Sequence, residues 1–371
     1  MKRGFRWWMS LPVLAPLGYG ADRLFTAHPE ISERVIARGI YPVFSGVMRR
    51  LTGWIPFSLM ELGIAALILG ALFGLGLLAV VLVRGIRKGS VPWRRIGGVC
   101  YRILCGAAVF YFVFVIFCGA NYHRRTFASL AGLTVRESSA EELEALVCAL
   151  ADEASALRAE LNEDERGVAV NPFASYGALA DEVRKAYGAA GEEYEVLAGW
   201  VPRPKRVLFS EIMSMTETTG IYCVYTAEAN VNRKMPQTDL PAVMAHELSH
   251  LQGFMREDEA NFIAYLVTRY AEDPYVRYSG AQFALVYAAN RLYRESADRW
   301  AAAREHYSEG LIRDLQEIGA YWEPYRDTKV SKAADQANTT YLQSQGQSDG
   351  TKSYGRMVDL LLAYYRTTTV E

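Results

Sequence analysis

The chain has 371 residues, 51% of them hydrophobic, with a mean hydropathy of +0.01; this is too apolar for a disordered polypeptide or a single soluble domain. The formal net charge of -1 conceals a division: residues 1–120 carry 14 Lys/Arg against 4 Asp/Glu, and residues 121–371 carry 26 against 37. A basic, apolar first third followed by an acidic remainder excludes a wholly soluble protein and a polytopic transporter. It also excludes a nucleic-acid binder, since phosphate repels the acidic part.

In chain order, the first 122 residues read as a transmembrane region. Spans are expected at about 7–25, 58–83 and 99–120. Leu62–Val83 holds 22 uncharged residues and Ile103–Ala120 holds 18, against about 20 apolar residues for a bilayer crossing. The first segment is shorter and contains Pro12 and Pro16. It suits a short span, an interfacial helix or a signal-like anchor; Trp7 and Trp8, suited to a headgroup boundary, favour a span. Lys2, Arg3 and Arg6, and the short loop with Arg84, Arg87, Lys88, Arg94 and Arg95, belong on the cytoplasmic side. The protein is then a multi-pass cell-membrane protein with residues 123–371 outside the cytoplasm. Glu61 is the acid at the boundary of the second span, and the two long uncharged runs hold no intramembrane charge, which argues against ion or proton movement as the function.

Beyond residue 122 the pattern is that of a water-exposed domain. Leu143, Leu146, Val147, Leu150, Ala154 and Leu157 recur at helical spacing, and Ser139 with Glu142 makes a capping box. Another helix is expected over 176–187. Strands are expected over 206–209 and 221–231, with Thr219–Gly220 as a turn. Helices follow over 240–252, 257–271, 275–296, 298–318 and 354–366. The fold class is membrane-anchored α+β: transmembrane helices, then a mostly helical domain with a small sheet.

His246-Glu247-Leu248-Ser249-His250 is an H-E-x-x-H motif. Residues four apart on a helix lie on one face, so both imidazoles can hold one metal ion while the Glu247 carboxylate reaches its water. Asp239 and Pro241 suit the start of this helix as cap and first-turn residue, and Gly253 suits its end. The next helix opens with Glu257, the expected third ligand, with Glu259 as competitor on helical facing. Three protein ligands leave a fourth position open, the arrangement of catalytic zinc, Zn2+, which lowers the pKa of its water toward about 7. Glu247 is then the general base. An oxyanion donor is sought among Tyr265, Tyr278, Tyr354, Arg356 and His306, and Tyr354 and Arg356, with Lys352, are placed over the cleft. The strand before Asn230 and Asn232 is either an edge strand that pairs with an extended peptide or an ordinary strand under the helix. The two asparagines line the cleft or form the turn.

His246–His250 with Glu257–Asn261 resembles zincin metallopeptidases whose third ligand is a glutamate. The Glu-x-x-Ala-Asn segment is similar to the Glu-x-x-Ala-Asp of membrane-embedded prenyl-protein and heat-shock metalloproteases, and to a run in peptidases that cleave phage-type repressors. The resemblance implies a zincin-like domain over 123–371, Glu257 as third ligand and a supporting role for Asn261. The sequence departs in having six residues between His250 and Glu257, where those families have more. Pro56-Phe-Ser, Ala245–Ala264 and Asp349–Leu361 resemble an uncharacterised bacterial family with three N-terminal spans. The expected function is a membrane-bound zinc peptidase acting on a peptide or protein; the alternative is a non-catalytic peptide-binding or regulatory protein on the same scaffold.

Overall fold

The computed structural model describes residues 7–368; Lys2, Arg3 and Arg6 of the orientation argument lie outside them. Among the described residues, two helices are long and apolar enough to cross a membrane: Leu59–Arg87 and the run Trp93–Tyr122. The segment expected as the first span is not a third such helix. Pro12 has no N–H to donate, and the chain there is a 3₁₀ stretch, Trp7–Val13, followed by α1, Leu14–Ala27. It lies along the second long helix, where the Cys105 thiol donates to the Trp8 carbonyl at 3.5 Å and the Tyr101 hydroxyl to the Met9 carbonyl.

Between the first two expected spans, residues 29–52 are helical: a π-helical stretch, Ser32–Ile40, runs into α2, Tyr41–Thr52. This segment packs on the C-terminal part of the chain through the buried ion pair between Glu33 and Arg124 at 3.0 Å. Ser58 then caps α3, Leu59–Arg87, by accepting from the Glu61 amide. α4, Trp93–Phe114, continues through a π turn to Tyr122. After the short α5, Phe127–Ala131, the expected capping box opens α6, Ala140–Ala159. Next come α7, Tyr176–Glu193; β1, Lys205–Val207; α8, Ser210–Met215; β2, Gly220–Cys223; and β3, Glu228–Asn232. The expected strand over 221–231 is thus a hairpin. Thr219–Gly220 is not a turn but leads into β2; the reversal lies at 224–227, with Ala227 at φ +48°.

The sheet order is β1-β3-β2, with β1 parallel and β2 antiparallel to the buried central β3. β2 is therefore an edge strand. The helical body follows: α9, Leu240–Leu251; α10, Glu257–Thr268; α11, Pro274–Glu295; α12, Ala297–Ala303; α13, Glu309–Trp322; α14, Lys329–Ser344; and α15, Met357–Thr368. The helix expected over 298–318 breaks at Arg304–His306, because Ser308 caps a new one by accepting from the Leu311 amide. One apolar core joins α6, α7, α9, α10, α11 and α15 through residues such as Leu150, Val183, Leu248, Phe262, Leu285 and Leu361. Burial of such side chains is worth roughly 1.5–3 kcal/mol each.

Two acids report on this body. Asp314 on α13 accepts from Arg158 at 2.7 Å, from the Tyr278 hydroxyl at 2.6 Å and from the Ala169 amide at 2.9 Å. Asp314→Ala leaves the buried Arg158 guanidinium with the half-exposed Glu163 carboxylate as its remaining charge partner, so a loss of about 3–5 kcal/mol is expected in denaturant unfolding; a loss below about 1 kcal/mol would show that the pair is not a structural anchor. Asp239 is the residue before α9, but its side chain makes no cap; it accepts from Gln282 Nε2 at 3.0 Å. Burial raises its pKa to about 7. An acid with a raised folded-state pKa stabilises at low pH, and that stability is lost as pH climbs from about 4 to about 7. Asp239→Asn is expected to match wild type near pH 4 and to exceed it at pH 8 by about 2–4 kcal/mol; paired melting curves at the two pH values check this, and equal gains at both would contradict it.

Candidate metal centre

Pro241 opens α9, and its remaining residues to Leu251 are almost all buried, so the helix is a fixed platform. His246 and His250 stand one turn apart with ring centroids 4.6 Å from each other. Gly253, at φ +90°, then reverses the chain; a Cβ there would meet a Tyr41 ring carbon at 3.1 Å. That reversal lets six residues suffice to bring α10 back. Glu257 Oε2 lies 3.3 Å from His246 Nε2 and 3.5 Å from His250 Nε2. One potential ligand atom from each residue lies within 4.8 Å of the others, and all three residues are enclosed.

Glu259 faces elsewhere: it accepts from the Phe127 amide at 2.7 Å and pairs with Arg256 at 3.2 Å. Asp258 pairs with Arg356 at 3.2 Å. Of the acids that open α10, the structure brings Glu257 alone to the histidines.

The polar surroundings orient the rings. His250 Nδ1 is 2.8 Å from the Phe254 carbonyl, which aims Nε2 at Glu257. The Tyr41 hydroxyl donates to the His250 and Leu251 carbonyls, at 3.2 and 3.0 Å, and is 2.9 Å from the Tyr222 hydroxyl. His246 Nδ1 and Glu247 Oε2 are buried with no hydrogen-bond partner. Burial lowers the His246 pKa. Burial also disfavours charge on His250, but the Glu257 carboxylate overrides it and raises that pKa to about 9. Burial works against the charged Glu257 in turn, and the two imidazoles, His250 first, hold it well below the usual carboxylate range. Glu247 has no such partner, and burial pushes it up to about 8.

Gly220, the first residue of β2, sits directly against Glu247: a Cβ there would fall 2.2 Å from Oε1. The edge strand and the carboxylate are thus in van der Waals contact. They share a cavity of about 1200 Å³ that also reaches His246, His250 and Glu257.

Tyr354 lines this cavity, and its hydroxyl accepts from Asn338 Nδ2 at 3.4 Å. Burial, reinforced by the Glu257 carboxylate, holds its pKa well above that of a free phenol. Arg356 is not brought to the site: the pairing with Asp258 and bonds to Asp349 and Gln347, at 2.7 and 2.6 Å, hold it outside the lining. Lys352 is exposed. Tyr265 bonds Glu153, Tyr278 bonds Asp314 and His306 pairs with Asp152, so none of these reaches the cavity. Asn230 and Asn232 knit the sheet, through the Ile221 carbonyl at 3.2 Å and Ser214 Oγ at 2.9 Å.

Sequence reasoning missed three contributors. Gly220 read as a turn. Tyr287, which also lines the cavity, was one of 23 tyrosines. α14, which walls the cavity with Asn338 and Tyr341, has too few apolar residues to show a helical stripe.

The site defined so far is a buried His–His–Glu cluster on two successive helices, with an unpaired carboxyl beside a free strand edge. The chain belongs to the family described as "Protein of unknown function (DUF3810)", whose model matches residues 37–362. No curated protein and no solved structure matches the chain.

Proposed function

We propose that the protein is a membrane-bound zinc-dependent peptidase with a zincin-like domain over residues 123–371. The observation that carries this reading is the convergence of His246, His250 and Glu257 beside a buried, unpartnered Glu247 carboxyl. Two imidazole nitrogens and a carboxylate oxygen are a donor set suited to zinc, and His246, His250 and Glu257 would hold the ion. Asp258 and Glu259, which could close a fourth position, are engaged elsewhere; this favours an open catalytic site over the alternative of a non-catalytic peptide-binding or regulatory protein. Bound zinc supplies a Lewis acid and an acidified water.

The remaining steps belong to the chain. Glu247, a buried carboxyl whose Oε2 has no hydrogen-bond partner, takes a proton from the attacking water and returns it to the leaving amine. The edge of β2 pairs with the peptide backbone and sets its register against Glu247. Tyr354 is the hydroxyl donor for the developing negative charge.

Metal analysis of the purified full chain tests the reading. About one zinc per chain is expected, lost in His246→Ala, His250→Ala and Glu257→Ala. An intact preparation that holds no transition metal and binds none when dialysed against zinc would end the proposal.

The same reading makes the protein multi-pass, with the catalytic domain outside the cytoplasm. The five basic residues at 84, 87, 88, 94 and 95 cluster at the adjoining ends of the two long helices and in the turn that joins them and belong inside. The Trp7–Ala27 segment, lying along α4, is long enough by rise per residue, about 35 Å, to be a third crossing. Reporter fusions after residues 90 and 125 should report opposite sides.

A further inference from the structure

We infer that the cavity takes the juxtamembrane stretch of a membrane-anchored polypeptide, and that the face of the domain around it is seated in the bilayer surface. The docking part rests on geometry; that the chain is cut there rests on the peptidase reading.

Three observations point the same way. First, the cavity is walled by the end of the second long helix: Phe114, Cys118 and Tyr122 line it together with Glu247 and the histidines. Second, the β2–β3 turn is wedged between the two long helices. On one side the Tyr225 ring stacks on Phe110 at 3.8 Å and its hydroxyl donates to the Phe110 carbonyl at 3.1 Å. On the other, Glu228 accepts from the Leu59 and Met60 amides at the start of α3, at 3.2 and 3.0 Å. β2 therefore runs from the level of the spans, at Cys223, to the Glu247 carboxyl, at Gly220. A peptide paired on its free edge has one end at the bilayer.

Third, α2 is built inside out. Its buried face is Tyr41, Ser45, Arg49 and Thr52; its exposed face is Val43, Val47 and Leu51 with Arg50 at its end, continued by Trp54 at 77% exposure. Such a helix suits an apolar medium on its outer side. It is continuous with the spans: Phe44 stacks on Phe117 at 3.8 Å, and the chain passes from Thr52 into α3 within seven residues. A second exposed apolar group, Leu208, Phe209 and Ile212, sits beside α3 as well, because the Leu208 and Phe209 amides donate to Glu61 at 2.9 Å. Lipid is the occupant that covers both patches and the spans together. The α14 wall of the cavity carries the polar Ser331, Asp335 and Asn338 and meets the end of the second long helix through Tyr341, whose hydroxyl accepts from Tyr122 at 3.2 Å.

The test uses the full chain in lipid nanodiscs. The protein is Glu247→Gln with a benzoylphenylalanine crosslinker introduced as Ile221→benzoylphenylalanine, or in a second preparation at Thr219 to guard against a local folding defect. The probe is a single apolar spanning helix followed by an unstructured tail of about 40 residues; the control is the same tail without its helix. Crosslinks mapped by mass spectrometry are expected within about ten residues of the probe's membrane boundary, the reach of roughly 33 Å of extended chain. They should exceed those in the distal half, and those to the free tail, by about tenfold. Crosslinks spread evenly along the tail, equal capture of the free tail, or no capture at either position overturns the inference. Clustered crosslinks with no hydrolysis of the probe by wild type leave the docking standing and remove the peptidase reading. Glu247-dependent hydrolysis without clustering does the reverse.

Discussion

Glu247→Gln is expected to lower peptide hydrolysis by about 10²–10⁴-fold, the range for loss of a positioned general base, while leaving zinc at the wild-type level. The amide has nearly the shape of the carboxylate but cannot take a proton. Glu247 is not one of the three residues that converge as ligands, so the metal should stay. The folded state should not suffer: burial raises the Glu247 pKa to about 8 and Oε2 has no hydrogen-bond partner, so a neutral side chain relieves a cost. The measurement is hydrolysis of a peptide library by zinc-loaded wild type and variant at equal metal content. Full-rate turnover by the variant would falsify the general-base assignment; loss of metal with loss of turnover would make Glu247 a ligand instead.

Gly220→Ala is expected to cost about 10²-fold in turnover, comparable to a 1 Å misplacement of a reacting group, although the residue carries no functional atom. The added methyl would lie 2.2 Å from Glu247 Oε1 and 2.6 Å from its Cδ and Cγ. The carboxyl sits on a buried helix and the methyl on the edge strand, so one must yield. Helix α9 is enclosed along its length, so the strand edge or the Glu247 rotamer moves. Zinc binding should survive, because the three converging side chains are not touched. A zinc titration beside the kinetics separates a displaced base from an unfolded site; an alanine variant with wild-type turnover would show that contact between strand and carboxylate is not needed.

What was legible beforehand depended on whether the signal was local. The H-E-x-x-H spacing needs only a helix, and α9 is one. The Ser139 capping box is two hydrogen bonds across four residues, and it forms as read. The long uncharged runs became the two long apolar helices, while the shorter run with Pro12 did not become a third. α14 was invisible because its sequence has no apolar stripe, and it is held mainly against the Gly350–Arg356 turn. Arg356 was misplaced for a related reason: nearness of Tyr354 in sequence says nothing about which way a side chain leaves a 3₁₀ turn, and the acids Asp258 and Asp349 captured the guanidinium.

The sequence by itself determined the pair of histidines on one helical face, the carboxylate between them and the division into an apolar front and an acidic remainder, because these follow from helical periodicity and composition. Only the tertiary structure decided between Glu257 and Glu259, which follow the same reversal at Gly253 and differ only in the direction each side chain takes from α10. It alone placed Gly220 against Glu247, brought the end of the second long helix to the same cavity and packed the inside-out helix α2 on that helix, Phe44 against Phe117. Those contacts join residues tens to hundreds of positions apart, so they depend on how the helices pack rather than on any local preference of the chain.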